Sequence, residues 1–134
     1  MALPRRSRQN LRFFSLAMSI VTAPYEKLSN TQRKRWGIDE RGFAPAILIA
    51  KLGLHHEYHG KGHGSDLIDA ALNKCVETAQ GAACLLIVVD ALKEELVCFY
   101  TKEGFIRLNG LRFVLTMRAA QKRLASRTNS RQGE

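Results

Sequence analysis

The sequence predicts an α/β (α+β) fold built on a mixed, partly parallel sheet. Three observations lead there. Short apolar runs rich in branched residues alternate with helix-like segments, the order expected of strands joined by helical crossovers. Two of those runs, 45–54 and 84–89, are almost continuously apolar, as strands covered on both faces are. Between them lies a glycine-rich turn, His59-Gly60-Lys61-Gly62-His63-Gly64, followed by an amphipathic helix.

Taken in order, residues 1–10 read as a flexible basic arm without periodicity. Residues 11–22, rich in Phe, Leu, Ile, Val and Met, read as a strand, with a helix as the alternative. Pro24 ends that run and suits the first turn of a following helix. Residues 25–35 are polar and poorly patterned, a weak helix or an ordered loop, and 36–42 read as a loop. In the strand at 45–54, Gly53 marks a bulge or a close backbone approach. Residues 55–64 form the turn, and 65–80 a helix with Leu67, Ile68, Ala71, Leu72, Cys75, Val76 and Ala79 on one apolar face. Gly81 stops it. A buried strand at 84–89, a helix at 93–102 stopped by Gly104, and strands at 105–108 and 111–117 follow, the last two forming a hairpin around Asn109-Gly110. From 119 the chain is a basic tail that begins helical and then frays. One domain over 11–118 between two basic ends is the expected organisation.

Net charge is +9, unevenly spread. Residues 1–41 carry nine Lys/Arg against three acids, 42–120 eight against eight, and 121–134 four against one. A neutral centre with basic flanks favours contact with a polyanion such as nucleic acid. Arg33, Lys34, Arg35 and Arg41 are the leading candidates for phosphate contacts, with Arg5, Arg6, Arg8, Lys122 and Arg123 behind them. Cys75, Cys84 and Cys98 are odd in number, lie in apolar periodic segments and lack metal-ligand spacing. They read as small core residues of a cytoplasmic protein. No apolar run reaches the roughly 20 residues of a membrane span, so no membrane partner is expected. Residues 1–25 hold four arginines and no acid before an apolar run, as a targeting segment would, but Pro24 after Ala23 argues against cleavage there.

The glycine turn exposes backbone N–H groups at a helix N-terminus, where the dipole also favours an anion; this is a cradle for a phosphate. It fits neither the P-loop pattern nor the dinucleotide-binding glycine spacing. His55, His56, His59 and His63 raise the question of a metal. The glycines between them oppose a helix that would align pairs four apart, and no Cys or carboxylate completes a zinc set, so no metal is expected. Tyr100 ends a helix beside a buried strand; it is either a core aromatic or, with an ordinary pKa near 10, a general acid.

In context the turn resembles the signature of the GNAT superfamily of acetyl-CoA-dependent N-acetyltransferases. That signature is Gln or Arg, two residues, Gly, one residue, then Gly or Ala, just before a helix. His59 takes the first place, departing from Gln or Arg, with Gly62 at the fourth and Gly64 at the sixth. A second segment found in many members, Ala-x-x-Phe-Tyr-x-x-x-Gly-Phe, is matched by Phe99, Tyr100, Gly104 and Phe105, with Leu96 in place of the Ala. The resemblance covers residues 43–118. It implies a GNAT-like twisted mixed sheet with central parallel strands, and acetyl-CoA as cofactor. It implies that the N–H groups of His59, Gly60, Lys61, Gly62, His63, Gly64 and Ser65 hold the pyrophosphate. The backbone of Leu52, Gly53 and Leu54 would hold the pantetheine arm and thioester carbonyl, with Phe99 at the site and Tyr100 as general acid to the departing thiolate. Glu57 or a histidine would relay the proton lost by the substrate ammonium.

Within the superfamily the chain looks most like toxins of bacterial toxin–antitoxin pairs, through the strand at 14–21, the run at 43–64, and Arg112-Phe113-Val114-Leu115. That likeness implies acetylation of the α-amine of aminoacyl-tRNA, which blocks translation, and a ribbon-helix-helix antitoxin as partner. The family's first strand and helices, which form one wall of the acceptor site, are missing before residue 11, so the fold is expected to be N-terminally abbreviated. An exposed sheet edge would favour a homodimer. The alternatives are transfer to a protein or small-molecule amine, a coenzyme A-binding module without turnover, and a basic nucleic-acid-binding domain.

Overall fold

The structure, a computed structural model, describes residues 12–23, 25–54, 63–80 and 84–132. Within them the chain runs β1 (Arg12–Thr22), α1 (Asn30–Trp36), β2 (Phe43–Leu54), α2 (His63–Ala79), β3 (Leu86–Asp90), α3 (Val97–Lys102), β4 (Ile106–Asn109), β5 (Arg112–Thr116) and α4 (Met117–Gln132). Short 3-10 turns at Tyr25–Lys27 and Glu94–Leu96 lead into α1 and α3. The five strands form one mixed sheet in the order β1-β2-β3-β5-β4. β2 and β3 are its parallel pair; the other neighbours are antiparallel. The α/β class read from the sequence is the class observed.

Side-chain alternation explains the two cores. Ile47 and Ile49 of β2, Ile87 and Val89 of β3, and Phe113 and Leu115 of β5 share one face with Ile68, Ala71, Leu72 and Cys75 of α2, and with Met117 and Ala120 of α4. Ala44, Ala46, Leu86, Val88 and Val114 point the other way, under Trp36 and Ile38. With both faces covered where the two strands pair, β2 and β3 need apolar residues on both sides there, which is why their sequences read as almost continuous apolar runs.

Several elements depart from the sequence reading. The segment at 25–35 resolves into a 3-10 turn and a real helix, α1, held by its ends. The Ser29 side chain accepts from the Gln32 N–H while Gln32 Oε1 accepts from the Ser29 N–H, a complete capping box. Gly37 closes α1 at φ +72, with Ile38 N–H donating back to the Arg33 carbonyl. The helix expected at 93–102 is α-helical only from Val97. α2 begins at His63, so Gly64, expected in the turn, lies inside its first turn. The tail, expected to begin helical and then fray, is helical from Met117 through Gln132, with Ala120 fully buried. Cys75 and Cys84 are buried as expected, but Cys98 is exposed. Among the described residues no helix is long and apolar enough to cross a membrane.

Candidate functional site

The site begins with a mismatch in strand length. β2 has twelve residues and β3 five. Their parallel register starts at Ala46↔Leu86 and stops at Ile49↔Val89. Beyond it, β2 continues to Leu54 still paired with β1, through Gly53↔Phe13 and Leu54↔Arg12. The β3-facing backbone of Leu52, Gly53 and Leu54 therefore has no strand partner among the described residues. The β1/β2 register also slips by one between Phe13↔Gly53 and Ser15↔Ala50, placing the extra residue on β2. This is the bulge that Gly53 suggested, and a bulge bends a strand and increases its twist. A crevice at the carboxyl ends of parallel strands is the usual ligand position in α/β sheets.

α2 starts from that end of β2. Its first N–H groups, from His63, Gly64 and Ser65 onward, have no intrahelical acceptors and lie at the positive end of the dipole. His59, Gly60, Lys61 and Gly62 lie outside the described residues, as do His55, His56 and Glu57; of His63 only the backbone is described. The Ser65 hydroxyl is already engaged, donating to Glu103 Oε2 at 2.7 Å. Ser65 can therefore offer a ligand its N–H but not its hydroxyl.

The chain leaves β3 through the 3-10 turn into α3, which carries Phe99 and Tyr100. Tyr100 is 4% exposed. Its ring meets Phe99 edge-on at 5.1 Å, Phe105 edge-on at 5.8 Å, and Phe113 of β5 tilted at 5.5 Å. Burial pushes its phenol up to about 12, so it stays protonated across the neutral range. Cys75, pushed up to about 12 by burial and secondarily by the neighbouring Cys84, is an inert core thiol.

A salt-bridged cluster that the sequence did not reveal ties these pieces together. Arg123 of α4, read above as a possible phosphate contact, turns inward, with its side chain 15% exposed. It engages Asp69 of α2 at 2.7 Å and Glu103, the residue after α3, at 2.6 Å. Burial works against its charge, but the hydrogen bonds to Glu103 and Asp69 outweigh it, and its pKa moves up. Arg127 lies 3.0 Å from Asp69 Oδ2, although without hydrogen-bond geometry. The available signal was the four-residue spacing of Arg123 and Arg127, which puts two cations on one helix face.

The nucleic-acid candidates lie elsewhere. Arg33, Lys34 and Arg35 occupy the last turn of α1, and Arg41 the turn into β2, at the strand's amino end. The free β3-facing backbone of β2 is at its carboxyl end, about 36 Å away along a twelve-residue strand. Arg33 Nη1 donates to Asn30 Oδ1 at 3.0 Å and Arg41 pairs with Asp39 at 3.0 Å. Asp39 organises this turn by also accepting from the N–H groups of Arg41 and Phe43; the Phe43 bond is the main cause of its lowered pKa. A groove of about 720 Å³ opens here, lined by Asn30, Arg33, Lys34, Ile38, Glu40 and Arg41 among others. Among the described residues no cluster of His, Cys, Asp and Glu could hold a metal ion.

Comparison with known proteins bears on this site. Residues 30–107 match the family described as acetyltransferase (GNAT) domain. A tRNA-acetylating toxin of Mycobacterium tuberculosis is 34% identical over 61 residues, covering 46% of this chain and 37% of that protein. AtaT complexed with acetyl-methionyl-tRNAfMet superposes at a TM-score of 0.66 and 21% identity, covering 81% of this chain and 64% of that one. A tyrosine-to-phenylalanine mutant of AtaT, bound to the C-terminus of the antitoxin AtaR and acetyl-CoA, gives 0.62 and 18%, covering 81% and 60%. The chain thus spans less than two thirds of each of these proteins.

Proposed function

Because the chain belongs to the GNAT acetyltransferase family, we propose that it transfers an acetyl group from acetyl-CoA to the α-amine of an aminoacyl-tRNA. That modification blocks translation, which makes the protein the toxin of a toxin–antitoxin pair acting in the cytoplasm. The observation that carries the chemistry is the carboxyl end of β2, which among the described residues has no strand partner on its β3 side and precedes the N-terminus of α2. Free strand backbone fits a pantetheine arm, which makes amide hydrogen bonds as a neighbouring strand would, and a helix N-terminus fits a pyrophosphate. Leu52, Gly53 and Leu54 would hold the arm, with Phe99 beside it, and the stretch from His59 through Gly64 with the Ser65 N–H would hold the pyrophosphate. Acetyl-CoA, when bound, supplies the activated acetyl group.

The role of Tyr100 follows from its burial. Its phenol holds a proton at neutral pH, but with a pKa of about 12 it is a weak acid. Full transfer to a sulfur of ordinary thiol acidity, about 8.5, is uphill. Tyr100 therefore acts mainly as a hydrogen-bond donor that stabilises negative charge growing on the leaving sulfur. The aminoacyl-tRNA substrate is supported by the toxin relative and by the net charge of +9. Arg33, Lys34, Arg35 and Arg41 would grip RNA backbone far from the reacting amine, positioning the substrate rather than reading its end. A ribbon-helix-helix antitoxin and a second copy of the chain are the expected protein partners.

Calorimetry with acetyl-CoA, followed by acetylation assays on charged tRNA, on peptides and on free amines, tests this reading. Binding, transfer to charged tRNA, and growth arrest on expression are expected. Transfer to peptides or free amines alone would discard the tRNA substrate, and no coenzyme A affinity would discard the whole reading.

A further inference from the structure

We propose that Arg123 is a positioning residue, a clamp that holds the coenzyme A cradle at a set spacing from the helix bearing Tyr100. The proposal rests on the acetyltransferase reading above. Arg123 donates to two elements from a third. Its Nε donates to Asp69 Oδ1 at 2.7 Å, its Nη1 to the Glu103 carbonyl oxygen at 2.7 Å, and its Nη2 to Glu103 Oε1 at 2.6 Å. The same Nη2 lies 3.4 Å from the Ser65 carbonyl oxygen. Ser65 closes the ring by donating its hydroxyl to Glu103 Oε2 at 2.7 Å.

Two physical consequences make this more than a fold-stabilising pair. The first is geometric. A guanidinium presents its donors in one rigid plane, so satisfying Asp69, Glu103 and Ser65 together fixes their relative positions. Ser65 is the third residue of α2 and Glu103 the third residue after Tyr100, so one planar group sets the distance between the two parts of the site. The second is electrostatic. Asp69 and Glu103, with side chains 13% and 12% exposed, stand beside the helix end that would receive a pyrophosphate. Arg123 offsets one of the two charges they would otherwise present to that anion, and Arg127 beside Asp69 supplies a second cation.

Binding is measured for coenzyme A and for pantetheine, which lacks the pyrophosphate, by NMR titration of the full chain. The variants are Arg123→Met, Arg123→Lys and Ser65→Ala, each with its thermal midpoint. Arg123→Met should weaken coenzyme A by about tenfold or more, because it leaves Glu103 without its cation and Asp69 with Arg127 alone. Pantetheine affinity should change by less than about twofold, since the β2 backbone that would hold it does not depend on that charge. Arg123→Lys, which keeps the charge but not the fork, should fall between wild type and Arg123→Met. Ser65→Ala should weaken coenzyme A by a few-fold through loss of one hydrogen bond. An unchanged coenzyme A affinity in Arg123→Lys and Ser65→Ala overturns the clamp, as does an equal loss for both ligands. If Arg123→Met does not fold, those two milder variants decide. A wild-type protein that binds neither ligand overturns the acetyltransferase reading itself, and the clamp with it.

Discussion

At the scale of single residues, Tyr100 and the Asp90–Arg112 pair make separate predictions. Tyr100→Phe keeps the aromatic contacts and removes one hydroxyl. Acetyl transfer is expected to fall by about 100-fold or more, with acetyl-CoA affinity little changed, as for loss of a group acting on the leaving atom. Single-turnover kinetics beside calorimetry separates the two, and undiminished transfer would remove Tyr100 from the mechanism. With its pKa raised to about 12, the phenol titrates far above the working range. The rate should therefore rise with pH as the substrate amine deprotonates and then level off, without a descending limb from Tyr100 below about pH 11. Folding stability follows the same sign: because the folded pKa exceeds the ordinary 10, the contribution of Tyr100 is complete below pH 10 and lost as pH rises through about 12. Asp90 behaves in the opposite sense. Arg112 bonds both its oxygens, at 2.7 and 2.8 Å across the β3–β5 register, and holds its carboxyl below the usual 3.8. That contribution is present above pH 3.8 and lost as pH falls through the folded value. With Asp90 45% exposed, solvent screening keeps it to about 0.5–1 kcal/mol, so Asp90→Asn should flatten the acid limb of an unfolding titration by no more than that.

Elements show how much local sequence decides. β2, α2 and β3 were legible because each sets a regular apolar pattern against the core, and β1 because its run of 13–21 holds no charge and no proline. α1 was not, since its seven residues carry little periodicity and its stability lies in its caps. The signal was present as Ser29 followed three residues later by Gln32, and it is this pairing rather than propensity that fixes the helix start. Ser29→Ala should cost about 1 kcal/mol. Gly37→Ala should cost a similar amount, about 1 kcal/mol, because φ is +72 and an added Cβ would sit 3.3 Å from Leu85. Thermal unfolding reads both as midpoint losses of several degrees, and an unchanged midpoint would mean that α1 contributes nothing to global stability. The ends of β2 and β3 were less legible than their centres. Beyond Ile49 the run continues through Leu52 and Leu54, and although Lys51 and Gly53 interrupt it, they do not mark where the pairing with β3 stops.

For the whole molecule, the sheet order leaves β1 at an edge, with no strand beyond it among the described residues. Residues 13–21 hold no charge and no proline, and Met18 and Ile20 are 65% and 64% exposed. Such edges pair with other strands. Antiparallel pairing of two copies about Ala17 would set Leu16 opposite Met18 and Phe14 opposite Ile20, joining apolar residues on one face. Concentration-dependent dimers are expected in sedimentation equilibrium and should be abolished by Ala17→Pro; a monomer at high concentration would contradict this. The site itself was only half legible at this scale. The glycine turn and Tyr100 could be read from local motifs. The clamp could not, because Ser65, Asp69, Glu103 and Arg123 meet only after the sheet has brought α2, α3 and α4 together.

The clamp also bears on the timing of synthesis. Arg123 comes after every group it holds, and β5, which pairs with β3 in the middle of the sheet, ends only at Thr116. A ribosome making this chain therefore releases the cradle and the Tyr100 helix well before the residue that joins them. The nascent protein is expected to hold coenzyme A only weakly until α4 has cleared the exit tunnel. Stalled chains released at increasing lengths and assayed for coenzyme A binding should show affinity rising by about tenfold or more once Arg123 is included; full affinity in a chain ending at Thr116 would refute this order of events.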